Sequence, residues 1–231
     1  DFMRKITAGL IVIMSVLLVS CKGKPGNTIT VGSDKLDNTQ SYFSESMHTV
    51  ARCDTGYYYL DKCSASDDNL MFDDDKSEES IVLCNKPQCG HDGEECMAYI
   101  SGSEFKSELY YYNSYIYMIS SKGNLVQISA DGTQRTDLGS ICVLSGQDSV
   151  SMCFNDGYAY VSQEITGDIE GNVTVRLYRF NLDTGSSDKI YEETGYGIGI
   201  NSLKTYGSDT FFLKTSVSKD DKGLYSLEGK G

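Results

Sequence analysis

The chain has 231 residues and a formal net charge of −13, from 20 Lys and Arg against 33 Asp and Glu. So acidic a chain, with no basic patch, is repelled by phosphate backbones and anionic headgroups, which argues against a nucleic-acid partner. It has no Trp and only 2 Pro, but 17 Tyr and 23 Gly, a balance that suits aromatic strands joined by glycine turns.

The first element is apolar. Arg4 and Lys5 precede an uncharged run from Ile6 to Val19. The run is short for a membrane span and has the length of a signal-peptide core. It ends in Leu18-Val19-Ser20-Cys21, a tetrad that resembles the lipobox of bacterial lipoproteins. The resemblance implies that residues 1–20 are a signal peptide, that Cys21 is lipidated, and that the protein sits on the outer face of the cytoplasmic membrane. A transmembrane anchor or a buried helix is the alternative. Residues 21–44 are polar and read as a tether.

From residue 45 onward the chain repeats itself. "DTGYYYLD" (54–61), "YNSYIYMIS" (112–120) and "NDGYAYVSQ" (155–163) each place a polar or Gly turn before a strand of period two. "YGSDTFFLKT" (206–215) is a fourth, with Phe for Tyr. Each is followed by a second apolar segment that runs into an acidic or Gly turn: "NLMFDDDKSEESIVL" (69–83), "NLVQISADGTQRTDLG" (124–139) and "RLYRFNLDTGSSDKIYEE" (176–193). A fourth begins at "GLYSLEGKG" (223–231). Leu70, Leu125, Leu177 and Leu224 align these units at spacings of 55, 52 and 47 residues.

That period is slightly above that of a four-stranded propeller blade. The pattern resembles TolB-like and related β-propellers over residues 45–231. The expected fold is all-β, an incomplete β-propeller of about three and a half antiparallel blades, truncated at the C-terminus. A β-sandwich of similar hairpins is the alternative. Tyr57, Tyr59, Tyr115, Tyr117, Tyr158 and Tyr160 are expected to pack between blades, with hydroxyls on water or backbone. A platform of exposed rings for a glycan or peptide is the other reading.

The densest chemistry lies in "CNKPQCGHDGEEC" (84–96), which gathers three of the 8 cysteines and one of the 2 histidines. Zinc takes four nitrogen or sulfur ligands in a tetrahedron, usually from tight loops. Lys86-Pro87 and Gly90 supply the turns, so Cys84, Cys89, His91 and Cys96 are candidate ligands of a structural zinc. In an exported chain, disulfides Cys84–Cys89 or Cys89–Cys96 are the competing reading, and free thiols a third. With Cys21 on lipid and three cysteines on metal, Cys53, Cys63, Cys142 and Cys153 remain. Cys142 and Cys153 flank a turn at 145–148, and a disulfide between them is a candidate. Cys53 and Cys63 are held roughly 20 Å apart by the extended run between them, too far for a disulfide.

The segment also resembles a motif of propeller-like surface lipoproteins of Gram-positive gut bacteria, C-x-x-P-x-C-x-H-x(4)-C-x-A-Y. Cys84, Pro87, Cys89, His91, Cys96, Ala98 and Tyr99 carry it. The resemblance implies a loop between blades with no catalytic role.

Weaker signals remain. "FDDDKSEE" (72–79) reads as a solvated hairpin tip, or a calcium site through Asp73 and Asp75. "DIEGNVT" (168–174) sets Asp168, Glu170 and Asn172 like a calcium loop but lacks its Gly and its bidentate Glu. "GYGIGI" (195–200) lacks the strand and helix of a phosphate loop and reads as a flexible connection. His48 has no evident partner, and no catalytic residue is assigned. The expectation is a membrane-anchored, non-catalytic scaffold for an extracellular protein, peptide or glycan. A lipid-anchored hydrolase or lyase, with a carboxylate pair formed in space, is the alternative.

Overall fold

The computed structural model describes residues 49–77, 79–106, 108–167, 171–219 and 225–230. The segment 1–20, Cys21, the tether 21–44, His48, Asp168, Glu170 and Leu224 lie outside the described residues. Among the described residues there is no helix, and every sheet is antiparallel.

Four sheets follow one another along the chain. The first holds β1 (Val50–Cys53), β2 (Gly56–Lys62), β3 (Asp68–Asp74), β4 (Ser80–Val82) and β5 (Tyr99–Ile100). The second holds β6 (Tyr110–Tyr112), β7 (Tyr115–Ile119), β8 (Asn124–Ser129) and β9 (Arg135–Ser140). The third holds β10 (Ser149–Asn155), β11 (Tyr158–Thr166), β12 (Asn172–Asn181) and β13 (Ser187–Tyr196). The fourth holds β14 (Gly199–Tyr206), β15 (Asp209–Lys219) and β16 (Tyr225–Lys230). Each is a meander of sequence neighbours, apart from β5, which pairs with β3, and none closes on itself. The first strands of successive sheets touch: β1 with β6, β6 with β10, β10 with β14.

The turns set a common register. Two-residue turns at 54–55, 113–114, 156–157 and 207–208 join the first strand of each sheet to its second. In three of the four, Asn113, Ser114, Asp156, Gly157 and Gly207 take positive φ, as turns between right-twisted strands favour. Counted from these turns, Tyr58, Tyr117, Tyr160 and Phe211 hold the same place, opposite Ala51, Tyr110, Cys153 and Lys204. Tyr58 stacks on Tyr111 of the second sheet at 5.7 Å and donates its hydroxyl to the Ala130 carbonyl at 3.2 Å. Tyr117 reaches Phe154 of the third sheet, and Tyr160 packs against the cluster shared with the fourth. Among the described residues no sheet lies against Phe211, which is 55% exposed.

This register corrects one expectation. Tyr58, not Tyr57 or Tyr59, faces the neighbouring sheet, because β2 starts at Gly56 directly after its turn. Tyr57 and Tyr59 lie half-buried on the other face, where the Arg52 guanidinium sits 4.4 Å from the Tyr57 ring centroid. Tyr115 packs at the margin of the cluster that holds Tyr117, and Tyr158 lies beneath Arg179 at 5.3 Å. The leucine alignment holds where it is described: Leu70, Leu125 and Leu177 are buried opposite Leu60, Ile119 and Ser162, which are equivalent positions.

Apolar side chains fill the spaces between sheets. Tyr112, Tyr117 and Leu125 of the second sheet meet Met152, Phe154 and Phe180 of the third. Val175 and Leu177 on the third sheet's opposite face meet Ile200 and Leu203 of the fourth. Each large side chain so buried contributes about 1.5–3 kcal/mol. The expected connection at 195–200 is shorter than the sequence suggests. Gly195 and Tyr196 end β13, Gly199 and Ile200 begin β14, and Gly197 turns the chain with φ 55°.

Candidate metal centre

The outer strand of the first sheet is split in two. β4 pairs with Met71–Asp73 of β3, and β5 pairs with Asp68 and Asn69 of the same strand. Leu70 lies between. Its carbonyl accepts the Leu83 N–H and its N–H donates to the Ala98 carbonyl, both at 2.8 Å. Residues 84–97 therefore leave the sheet and return to it at one point. All four candidate ligands lie within this excursion.

Tight turns bring them together. The Cys89 N–H donates to the Lys86 carbonyl at 3.4 Å, and the Cys96 N–H to the Gly93 carbonyl at 2.9 Å. Gln88 and His91 take positive φ, 61° and 58°, a conformation rare outside Gly, Asn, Asp and His. The Lys86 ammonium bonds the Glu95 carbonyl across the loop. The Sγ atoms of Cys84, Cys89 and Cys96 and a ring nitrogen of His91 then lie within 4.8 Å of one another. His91 Nδ1 is 3.3 Å from Cys96 Sγ. Metal–sulfur bonds of about 2.3 Å in a tetrahedron put sulfurs about 3.8 Å apart, a separation below the 4.8 Å that bounds these donor atoms. Cys96 is buried and the other three are half-buried.

The thiols differ electrostatically. Burial raises Cys84, but hydrogen bonds to its sulfur from the Lys86 and Met97 N–H groups, and from the other two thiols, bring it below the usual thiol value. Burial pushes Cys96 up to about 12, and the Cys84 and Cys89 sulfurs add to the rise. A divalent cation between these sulfurs would offset the charge of thiolates held so close together. The cluster can hold a metal ion, and among the described residues no other group of three or more Cys, His or carboxylate side chains converges in this way.

The remaining candidates are placed elsewhere. Cys142 and Cys153 carry no disulfide. Side chains alternate along β10, so Met152 and Phe154 join Cys142 between the second and third sheets, whereas Cys153 points to the opposite face among Val175 and Leu177. Cys53 is buried at the turn before β2, and Cys63 is exposed beyond the other end of that strand. Of the acidic hairpin tip, Asp75 receives both Arg52 guanidinium nitrogens at 2.9 and 2.6 Å, and Asp74 accepts the Lys76 N–H at 2.7 Å. These carboxylates serve the turn.

Two residues at the base of the loop carry no motif. Gly132 and Arg135 belong to the β8–β9 hairpin of the second sheet. The Gly132 carbonyl accepts the Asn85 N–H at 3.3 Å, and Arg135 donates to the Tyr99 carbonyl at 2.6 Å. A D-G pair marks the hairpin in the sequence, but nothing there ties it to a loop some forty residues earlier. No family model matches the chain, and no curated protein matches it, so the functional reading rests on these residues.

Proposed function

We propose that this protein is a cell-surface lipoprotein whose sheets are blades of a β-propeller, and that Cys84, Cys89, His91 and Cys96 bind a structural zinc. The propeller reading is supported by the chain-order meanders, by the contacts between successive first strands, and by equivalent aromatic side chains aimed at the next sheet. The lipobox-like tetrad ending in Cys21 supports anchoring on the outer face of the membrane. Its role is that of a non-catalytic scaffold that holds an extracellular protein, peptide or glycan.

One observation carries this reading: the donor set is three thiols and an imidazole converging from a single loop. Four protein ligands fill a tetrahedral zinc and leave no position for a substrate or an activated water. Such a site fixes a loop and performs no hydrolysis. Metal analysis of the purified protein should return about one zinc per chain, and Cys89→Ser should abolish it. Metal-free protein with Cys84 or Cys96 in a disulfide overturns the assignment.

A further inference from the structure

The metal loop and the neighbouring sheet share a contact surface. Gly132 is buried with φ 69°, and a Cβ there would lie 2.6 Å from the Leu83 carbonyl oxygen and 3.0 Å from the Cys84 nitrogen. The hairpin tip that carries it is braced. The Ser129 hydroxyl and the Thr133 N–H and hydroxyl all donate to the Asp131 carboxylate, at 2.7, 3.0 and 2.7 Å. A braced tip cannot retreat from the peptide it presses on. On the loop's exit side, Arg135 bonds the Tyr99 carbonyl and lies over the Phe105 ring at 5.0 Å. Burial weighs against its charge, while Glu104, then Cys96 and Glu94, favour it. Three thiolates and a divalent cation leave one net negative charge, which a nearby guanidinium offsets.

We propose that Gly132 and Arg135 are positioning residues for the metal site, so that zinc binding and the docking of the first sheet on the second are one linked equilibrium. This rests on the metal reading above. Zinc orders residues 84–97, the ordered loop fixes Leu83, Cys84 and Tyr99, and those three meet the β8–β9 hairpin. Coupling of this kind is reciprocal: whatever loosens the hairpin weakens the metal, and whatever removes the metal loosens the hairpin.

The molecule supplies its own control. Gly185, in the β12–β13 hairpin, has φ 70°, and a Cβ there would lie 2.7 Å from the Leu138 carbonyl oxygen. It presses on the outer strand of the second sheet as Gly132 presses on that of the first, with no metal loop beneath it. Zinc affinity of the full chain, measured by competition with a chromophoric chelator, should fall about tenfold in Gly132→Ala, a usual size for linked sites. Gly185→Ala should lower thermal stability and leave zinc affinity unchanged. Equal weakening by both variants, or none in Gly132→Ala, overturns the coupling and leaves the zinc site standing. A wild-type chain that binds no zinc removes the metal reading and the coupling with it. Should Gly132→Ala not fold, two measurements decide. Arg135→Gln should weaken zinc, and stripping zinc from the wild type should speed amide exchange at 129–135 but not at 181–187. Unchanged zinc affinity or uniform exchange overturns the proposal.

Discussion

Tyr117 and Phe154 meet across the boundary between the second and third sheets, their ring centroids 4.5 Å apart and their planes tilted by 38°. Phe154 also stacks on Tyr112 at 5.2 Å and meets Tyr110 edge-on at 6.3 Å. One phenyl ring thus gathers three tyrosines of the neighbouring sheet. Phe154→Ala should cost about 3–5 kcal/mol, as truncation of a fully buried aromatic does. Urea unfolding should show a lower midpoint at an unchanged slope. A loss below about 1 kcal/mol, the size of a single-methyl deletion, would mean that this interface contributes little to the fold.

Acid should act through Asp148, which is 5% exposed. Burial pushes its carboxyl up. The Ser145 hydroxyl and N–H and the Gln163 amide all donate to it, Lys106 lies nearby, and together they hold it below the usual carboxylate range. A carboxyl lowered in the folded state stabilises fully above its unfolded value of about 3.9, and the contribution is lost as pH falls through the folded value. Asp148→Asn should cost about 1–3 kcal/mol at neutral pH, since buried donors lose a charged acceptor. The gap between variant and wild type should narrow in unfolding curves taken at pH 3. A gap that does not change with pH would assign the loss to packing alone.

Membrane retention should depend on one sulfur. If Cys21 carries the lipid, Cys21→Ala leaves the chain without its anchor, and detergent partitioning should move it from the membrane fraction to the aqueous one. A variant that still sediments with membranes would be held by an uncleaved apolar segment instead.

Much of this was legible in the sequence, and the rest was not for identifiable reasons. Leu70, Leu125 and Leu177 align correctly because each pairs at the same distance from its turn. The first strands of the sheets escaped notice. β1 and β6 are too short to display a period, β10 is buried on both faces, and a register shift at Ile200–Ser202 breaks the alternation of β14. The one-residue error at Tyr57 and Tyr59 follows from a three-tyrosine run, in which period two fits either face until the turn is fixed. The convergence of Cys84, Cys89, His91 and Cys96 was legible because the four are local in sequence. Gly132 and Arg135 were not, because their contact with Leu83, Cys84 and Tyr99 exists only once two sheets are side by side.

The exposure of Phe211 bears on how the protein comes apart. In arrays where each unit touches only its neighbours, local stability is the unit's own plus that of its interfaces. The third sheet is flanked on both faces, by the second through Phe154 and by the fourth through Leu177. Among the described residues, the fourth sheet is flanked on one, and Tyr206, Phe211 and Leu213 are 83%, 55% and 39% exposed. Its ladder should therefore open at a lower free energy than that of its inner neighbour. Native-state hydrogen exchange should find the amides of β14 and β15 losing protection before those of β10 and β11. Within residues 49–219, opening would then begin at sheets with one neighbour and reach the doubly flanked third sheet later.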